Sequence, residues 1–331
     1  MRRCEIITGR MRRRAFLAMA AATLGFSPAV SRAQQGSLRT IGVLVIGKPD
    51  PAPMLHIFRA QLEKLGYAEG RNVRIVVRSA EGDPARLPAL AAELAHEDVD
   101  VVATWMTPAV LAAKQATSRI PIVMLGAADP VGMGIVDSLA RPGGNITGIA
   151  GLTAVLAGKI VELIKETLPG AERIAILCNA PDPFSKPFRE EVEAAGKANG
   201  IEPISLIVNA GAELDAAFPK MVDAKVPAVI VQPSLPLAHA AELALRYRIA
   251  AASPLSPFAG YGGLLSFSND PHETYREAAV FVAKILKGAS PADLPVEQPS
   301  KFELIINLKT AKAIGLVVPP AVLARADEVL E

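Results

Sequence analysis

Thr107-Pro108, Asp129-Pro130, Asp182-Pro183 and Asp270-Pro271 share one pattern: a hydroxyl or carboxylate followed by Pro, close behind an apolar run. Pro presets the first helical turn, and a preceding Thr or Asp can take one of that turn's free N–H groups. The same N–H groups and the helix's positive end also suit a ligand carboxylate. Thr107 with Pro108 therefore reads as a helix cap or as a donor site. Asp129 reads as an acceptor for a ligand ammonium or as the cap of a short helix, and Asp182 and Asp270 carry the same two readings. Gln232 and Ser234 are polar residues behind the apolar run 228–231 and are candidates to line a cleft. Phe184, with Trp105, Phe258 and Tyr261, offers an aromatic face for a flat side chain or simple loop packing. Gly47, Thr104 and Asn269 complete the set, because each stands where an apolar run ends.

Enzyme chemistry has no comparable candidates. The sequence contains no GxSxG, Walker loop, HExxH or CxxC. Gly132-Met133-Gly134 superficially suggests a dinucleotide loop, but position 137 is Asp. His56, His96, His239 and His272 lack metal-ligand spacing, and no nucleophile stands near a base. A binding protein without cofactor or metal is expected.

The elements that must position these residues alternate. Apolar runs at 40–46, 73–77, 99–103 and 120–124 read as buried strands, with helical spacing between them: Met54, Phe58, Leu62, Leu65, then starts at Asp83-Pro84 and Thr107-Pro108. After Met124 the stretch 125–148 carries a short helical pattern (Val131, Ile135, Val136, Leu139) and breaks on Arg141-Pro142-Gly143-Gly144. The pattern then restarts. Helices are predicted over 154–168, from Asp182-Pro183 to 199, over 212–224, from Ser234 to Ala250, and from Asp270 to Gly288. Strands are predicted at 174–178, 204–208, 228–231, 264–267 and 302–306, with a helical piece at the C-terminus. Such alternation calls for parallel sheets covered on both faces. Two successive α/β halves without a Gly/Ser-rich linker suggest two lobes joined by several segments. In open parallel sheets ligands sit beyond the carboxyl ends of the strands, where the candidates above cluster.

Residues 1–33 read as a signal peptide. Arg12-Arg13-Arg14 precedes a short apolar run ending at Phe26, and Ser31-Arg32-Ala33 supplies a cleavage site. The Arg13-Arg14-x-Phe16-Leu17 order also fits the twin-arginine route. Without this leader, 28 basic residues face 32 acidic ones and the formal charge moves from +2 to −4, which argues against a nucleic-acid partner. Cys178 is then the sole cysteine, so no intrachain disulfide is expected. Hydrophobic residues at 51% with 21% charged fit a globular protein.

The stretch DPVGMGIVDSLARPGGNITG (129–148) resembles a signature of the substrate-binding proteins of ATP-binding-cassette transporters, of the tryptophan/tyrosine-binding type. FRAQLEKLGYAEGRNV (58–73), RLPALAAELA (86–95), PAVLAAKQAT (108–117), the run AVFVAKILKGASPADLPVEQPSKFELIINLKTAKAIGL (279–316) and ARADEVLE (324–331) are similar to the same family. The resemblance spans nearly the whole chain after residue 38. It implies a type I periplasmic-binding fold: two Rossmann-like lobes with parallel sheets and a three-segment hinge near 147–150, 267–271 and 298–302. Lobe 1 would hold 38–148 and 270–298, and lobe 2 would hold 149–269 and 299–331. It further implies a monomeric periplasmic protein that captures a small ligand, an amino acid by family precedent, and passes it to a membrane permease.

Overall fold

The computed structural model describes residues 38–47, 52–209 and 212–331. The expected leader at 1–33 and Lys48 lie outside them. Nine-tenths of the chain is thus described, and it builds two sheets.

The first sheet comes from β1 (Arg39–Val45), β2 (Val73–Ser79), β3 (Val101–Trp105), β4 (Ile122–Ala128) and β5 (Ile146–Gly151), with α1 (Ala52–Lys64), α2 (Leu87–His96) and α3 (Met106–Ala116) between them. All pairings are parallel, in the order β2-β1-β3-β4-β5. Parallel neighbours need crossover helices, and these bury both faces, which is why the strands are apolar throughout. Leu90, Leu94, Val110 and Ala113 of α2 and α3 cover one face. Leu55, Phe58 and Leu62 of α1 cover the other.

The second lobe continues with α4 (Thr153–Thr167), β6 (Arg173–Asn179), α5 (Ser185–Ala198), β7 (Glu202–Val208), α6 (Ala212–Asp223), β8 (Ala228–Val231), α7 (Leu237–Arg246), β9 (Ala250–Ser253), α8 (Pro257–Gly260) and β10 (Leu265–Asn269). Then α9 (Pro271–Leu286) returns to the first sheet, packing Ala278, Phe281 and Val282 beside α1. The chain ends in the second lobe with β11 (Phe302–Asn307), α10 (Leu308–Ile314), α11 (Pro320–Leu323) and β12 (Glu328–Leu330). This sheet has the order β12-β11-β10-β9-β8-β6-β7, parallel except for β10 against β11. The thiol of Cys178, on β6, is wholly buried, and burial pushes it up to about 12.

Three sequence expectations are corrected. Residues 131–139 form turns, not a helix: Asp129 and Gly134 both adopt positive φ (41° and 64°), which interrupts helical winding. The helix expected from Ser234 to Ala250 is shorter, because Arg248 turns left-handed (φ 55°) and the run Ala250–Ser253 becomes a buried strand between β8 and β10. Burial between neighbours overrides the helix preference of Ala here. The passage expected at 147–150 instead lies inside β5, so the chain leaves the first sheet at Leu152. The other two passages run side by side, with the Asp270 N–H donating to the Lys301 carbonyl at 3.0 Å. Glu297 pairs with Ile149 on the outer edge of β5.

Candidate ligand-binding cleft

Each sheet repeats one topology, β2-β1-β3-β4-β5 in the first and β7-β6-β8-β9-β10 in the second. The strand order reverses between β1 and β3, and again between β6 and β8. Crevices open at such reversals, beyond the strand ends. A narrow cleft joins the two, lined by Met106, Thr107 and Pro108 from the first lobe and by Asp182, Phe184, Gln232 and Ser234 from the second.

On the first wall the chain passes from β3 into α3 without a loop. Trp105 is extended and Met106 takes φ 63°, a left-handed conformation that costs a non-glycine residue on the order of 1–3 kcal/mol. Trp105 is fixed by Phe58 and Tyr275, at ring separations of 6.4 and 5.5 Å. Of the two readings of Thr107 the cap is excluded: α3 has no side-chain cap, and the buried Thr107 Oγ1 accepts from the Ala128 N–H at 3.0 Å. That bond ties the start of α3 to the end of β4. The hydroxyl's own hydrogen remains available, beside the free N–H groups of the first helical turn.

On the second wall Asp182 is 6% exposed and does not cap α5. Its Oδ1 accepts from the Phe184 N–H at 2.9 Å. Its Oδ2 accepts from Gln232 Nε2 at 2.8 Å and from Ser234 Oγ at 2.5 Å. Gln232 Oε1 accepts from the Asn179 N–H at 2.8 Å, which fixes the amide with its NH2 towards Asp182. Burial pushes the Asp182 carboxyl above the usual carboxylate range, while the Ser234 and Phe184 bonds pull it down.

Six sequence candidates thus meet: Thr107, Pro108, Asp182, Phe184, Gln232 and Ser234. Four do not line the cleft. Thr104 stands in register with Leu44 and Met124, inside the core under α2 and α3. Asp129 is exposed, and its Oδ1 accepts from the Gly132 N–H at 3.0 Å, closing a turn. Gly47 is exposed and its carbonyl accepts from Ser79 Oγ. Asn269 pairs with Phe302 where β10 leaves its sheet. Of the other lining residues, Met106, Gly126, Ala128 and Pro233 fall at strand ends that the sequence points to without being singled out there, and Thr153 falls outside them. Thr153 carries no local signal, since only the passage at Leu152 brings it there. A separate groove of about 240 Å³ lies beside the passages, with Glu273, Glu277 and Glu297 on its walls and no residue from either strand-order reversal.

The cleft itself holds only about 30 Å³, room for a water molecule, whereas small-molecule sites usually occupy about 300–1,000 Å³. The lobes are therefore nearly shut against each other. Ala128 and Met133 of the first lobe pack into the second lobe's core beside Ala157 and Phe184.

Two α/β lobes facing each other across a polar cleft have the type I periplasmic-binding fold. Residues 52–330 match the family described as ABC transporter substrate binding protein, and the chain belongs to that family. The tyrosine-binding protein of Clostridioides difficile is 27% identical over 265 residues, 78% of this chain and 75% of that protein. A conserved domain protein from Vibrio cholerae superposes with TM-score 0.80 at 28% identity, over 88% of this chain and 100% of the other. An ABC domain from Streptococcus pneumonia, solved in complex with L-Trp, gives TM-score 0.79 at 28% identity, over 89% of this chain and 100% of the other.

Proposed function

We propose that this protein captures an amino acid, aromatic by analogy with the tyrosine-binding and L-Trp-bound relatives, and delivers it to the permease of an ABC importer. The observation that carries the reading is the apposition of two strand-order reversals, one bearing Thr107 and the other Asp182, across a cleft too small to admit a ligand unless the lobes part. Opening about the passages at Leu152, 269–271 and 297–302 admits the ligand. Contacts from both walls then favour reclosure around it, because a ligand shifts a two-state equilibrium by its differential affinity. The ligand carboxylate lies against the Thr107 hydroxyl and the first turn of α3. The protein works as a monomer in the periplasm after the leader at 1–33 is removed. No helix among the described residues is long and apolar enough to cross a membrane.

Calorimetric titration with L-tryptophan, L-tyrosine, L-phenylalanine and L-leucine tests the ligand class, and at least one is expected to bind. Small-angle scattering with and without that ligand tests the motion. Binding without any change in the scattering curve would overturn hinge closure. N-terminal sequencing of the exported protein should begin at Gln34, and a retained leader would refute export by cleavage.

A further inference from the structure

Two methionines stand where the lobes meet. Among the described side chains, Met124 and Met221 are 0% and 1% exposed, whereas Met106 and Met133 are partly open to solvent. Met106 lines the cleft. Met133 packs against the first-lobe core that contains Ile135 and Val136 and against the second-lobe core that contains Ala157 and Phe184. Its turn is built to hold it there. The Met133 N–H donates to the Asp129 carbonyl at 2.9 Å, and a Cβ at Gly132 would sit 2.0 Å from Asp129 Oδ2. Lys114 Nζ, from α3, donates to the Gly134 carbonyl and to that of Ile135 at 3.2 Å. The backbone of the turn is thus fastened to the first lobe, and the thioether side chain makes the contact with the second. Among aliphatic apolar side chains, only a thioether is turned polar by a mild oxidant.

We propose that Met133 is an oxidation site that controls closure: the intact thioether holds the lobes together, and its sulfoxide lets them part. With a peroxide as oxidant, a sulfur lone pair takes one peroxide oxygen. The O–O bond breaks as the S–O bond forms, and the other oxygen leaves as water with both protons. Sulfur loses two electrons and the peroxide gains them. The new sulfoxide oxygen is an acceptor placed among apolar side chains, which offer it no donor, and burying it unpaired is costly. Water reaches it when the lobes separate, so oxidation favours the open state. Capture of a ligand by closure would fall with it, and reduction of the sulfoxide would restore both. That consequence for capture rests on the function proposed above, whereas the latch is read without ligand.

The test treats the purified protein with hydrogen peroxide, without ligand, and follows it by peptide mass mapping and small-angle scattering. Met133 and Met106 are expected to gain one oxygen each well before Met124 and Met221. The radius of gyration should rise while the far-ultraviolet circular dichroism stays unchanged. Met133→Leu keeps an apolar side chain of similar volume without sulfur. It should start as compact as the wild type and stay so under peroxide, while Met106→Leu expands as the wild type does. Methionine sulfoxide reductases with a thiol reductant should return the oxidised wild type to its compact form. Met133 oxidised no faster than Met124 and Met221, scattering unchanged once Met133 is oxidised, or an expansion that Met133→Leu does not prevent overturns the proposal. So does an expansion with loss of the helical signal, which is unfolding and not opening. These readings need no ligand, so they stand whether or not titration with amino acids succeeds.

Discussion

Gly148 and Gly151 on β5 approach β4 so closely that a Cβ would lie 2.2 Å from the Met124 carbonyl oxygen and 2.5 Å from that of Gly126. Gly148 also has φ 127°, which side chains rarely adopt. Gly148→Ala is expected to cost about 2–4 kcal/mol, because neither backbone can yield without loosening the strand pairing. Urea unfolding gives the value directly, and a change below ~1 kcal/mol would show that β5 can shift. Thr107→Val keeps the volume but strands the Ala128 N–H, a cost of about 1–3 kcal/mol. Thr107→Ser should retain both stability and binding, which separates the hydroxyl's role from the methyl's. Asp182 contributes to the pH behaviour. Its folded pKa stands above the unfolded one, so the folded state binds the proton more tightly. Stability is therefore fullest below the unfolded carboxylate pKa and falls as pH rises through the folded one. At this scale the sequence revealed residue types but not directions. Asp129 and Asp182 both precede Pro after an apolar run, and only the fold points one outward to Gly132 and the other inward to Gln232.

At the level of elements, alternation of apolar runs with helical spacing was enough to read all the strands among the described residues except β5, β9 and β12, because parallel strands buried on both faces leave a clear trace. The exceptions have local causes. β9 consists of three Ala and a Ser, a composition that says helix until its neighbours on either side are known. The turn 129–140 carries helical spacing but is overruled by Gly134 and the left-handed Asp129. Asp270-Pro271-His272-Glu273 spells a capping box at the start of α9, and half of it forms. Asp270 accepts from the His272 and Glu273 N–H groups at 2.7 and 3.4 Å, whereas Glu273 turns to the Lys301 N–H at 3.2 Å instead of back to Asp270. The helix cap is thereby fastened to the neighbouring passage. Asp270→Ala should lose about 1 kcal/mol of stability by the cap alone. Glu273→Gln tests the fastening: it should alter the opening equilibrium, read by scattering, more than the melting temperature.

For the whole molecule, the repeated strand order places two reversals face to face, and that apposition could not be derived from periodicity. It depends on three passages, from β5 to α4, from β10 to α9 and from α9 to β11, at which the chain changes lobes. Met133 is the exposed-looking residue of a glycine-rich turn, yet it packs against the cores of both lobes. Met133→Ser removes that apolar contact, worth about 1.5–3 kcal/mol if fully buried. The variant is expected to show a larger radius of gyration without ligand and to compact further on adding it. Unchanged scattering would place the closing force in the passages themselves.

The buried Cys178 has a practical sequel. With its thiol held near 12, almost none of it is thiolate at neutral pH, and maleimides react with thiolate. The other cysteine, Cys4, falls in the proposed leader. Once that segment is absent, cysteines introduced at exposed Val131 and Val155, one on each lobe, would carry a donor–acceptor dye pair with no competing label. The protein's native chemistry is thus already silent enough for single-molecule fluorescence to test in real time whether the cleft opens.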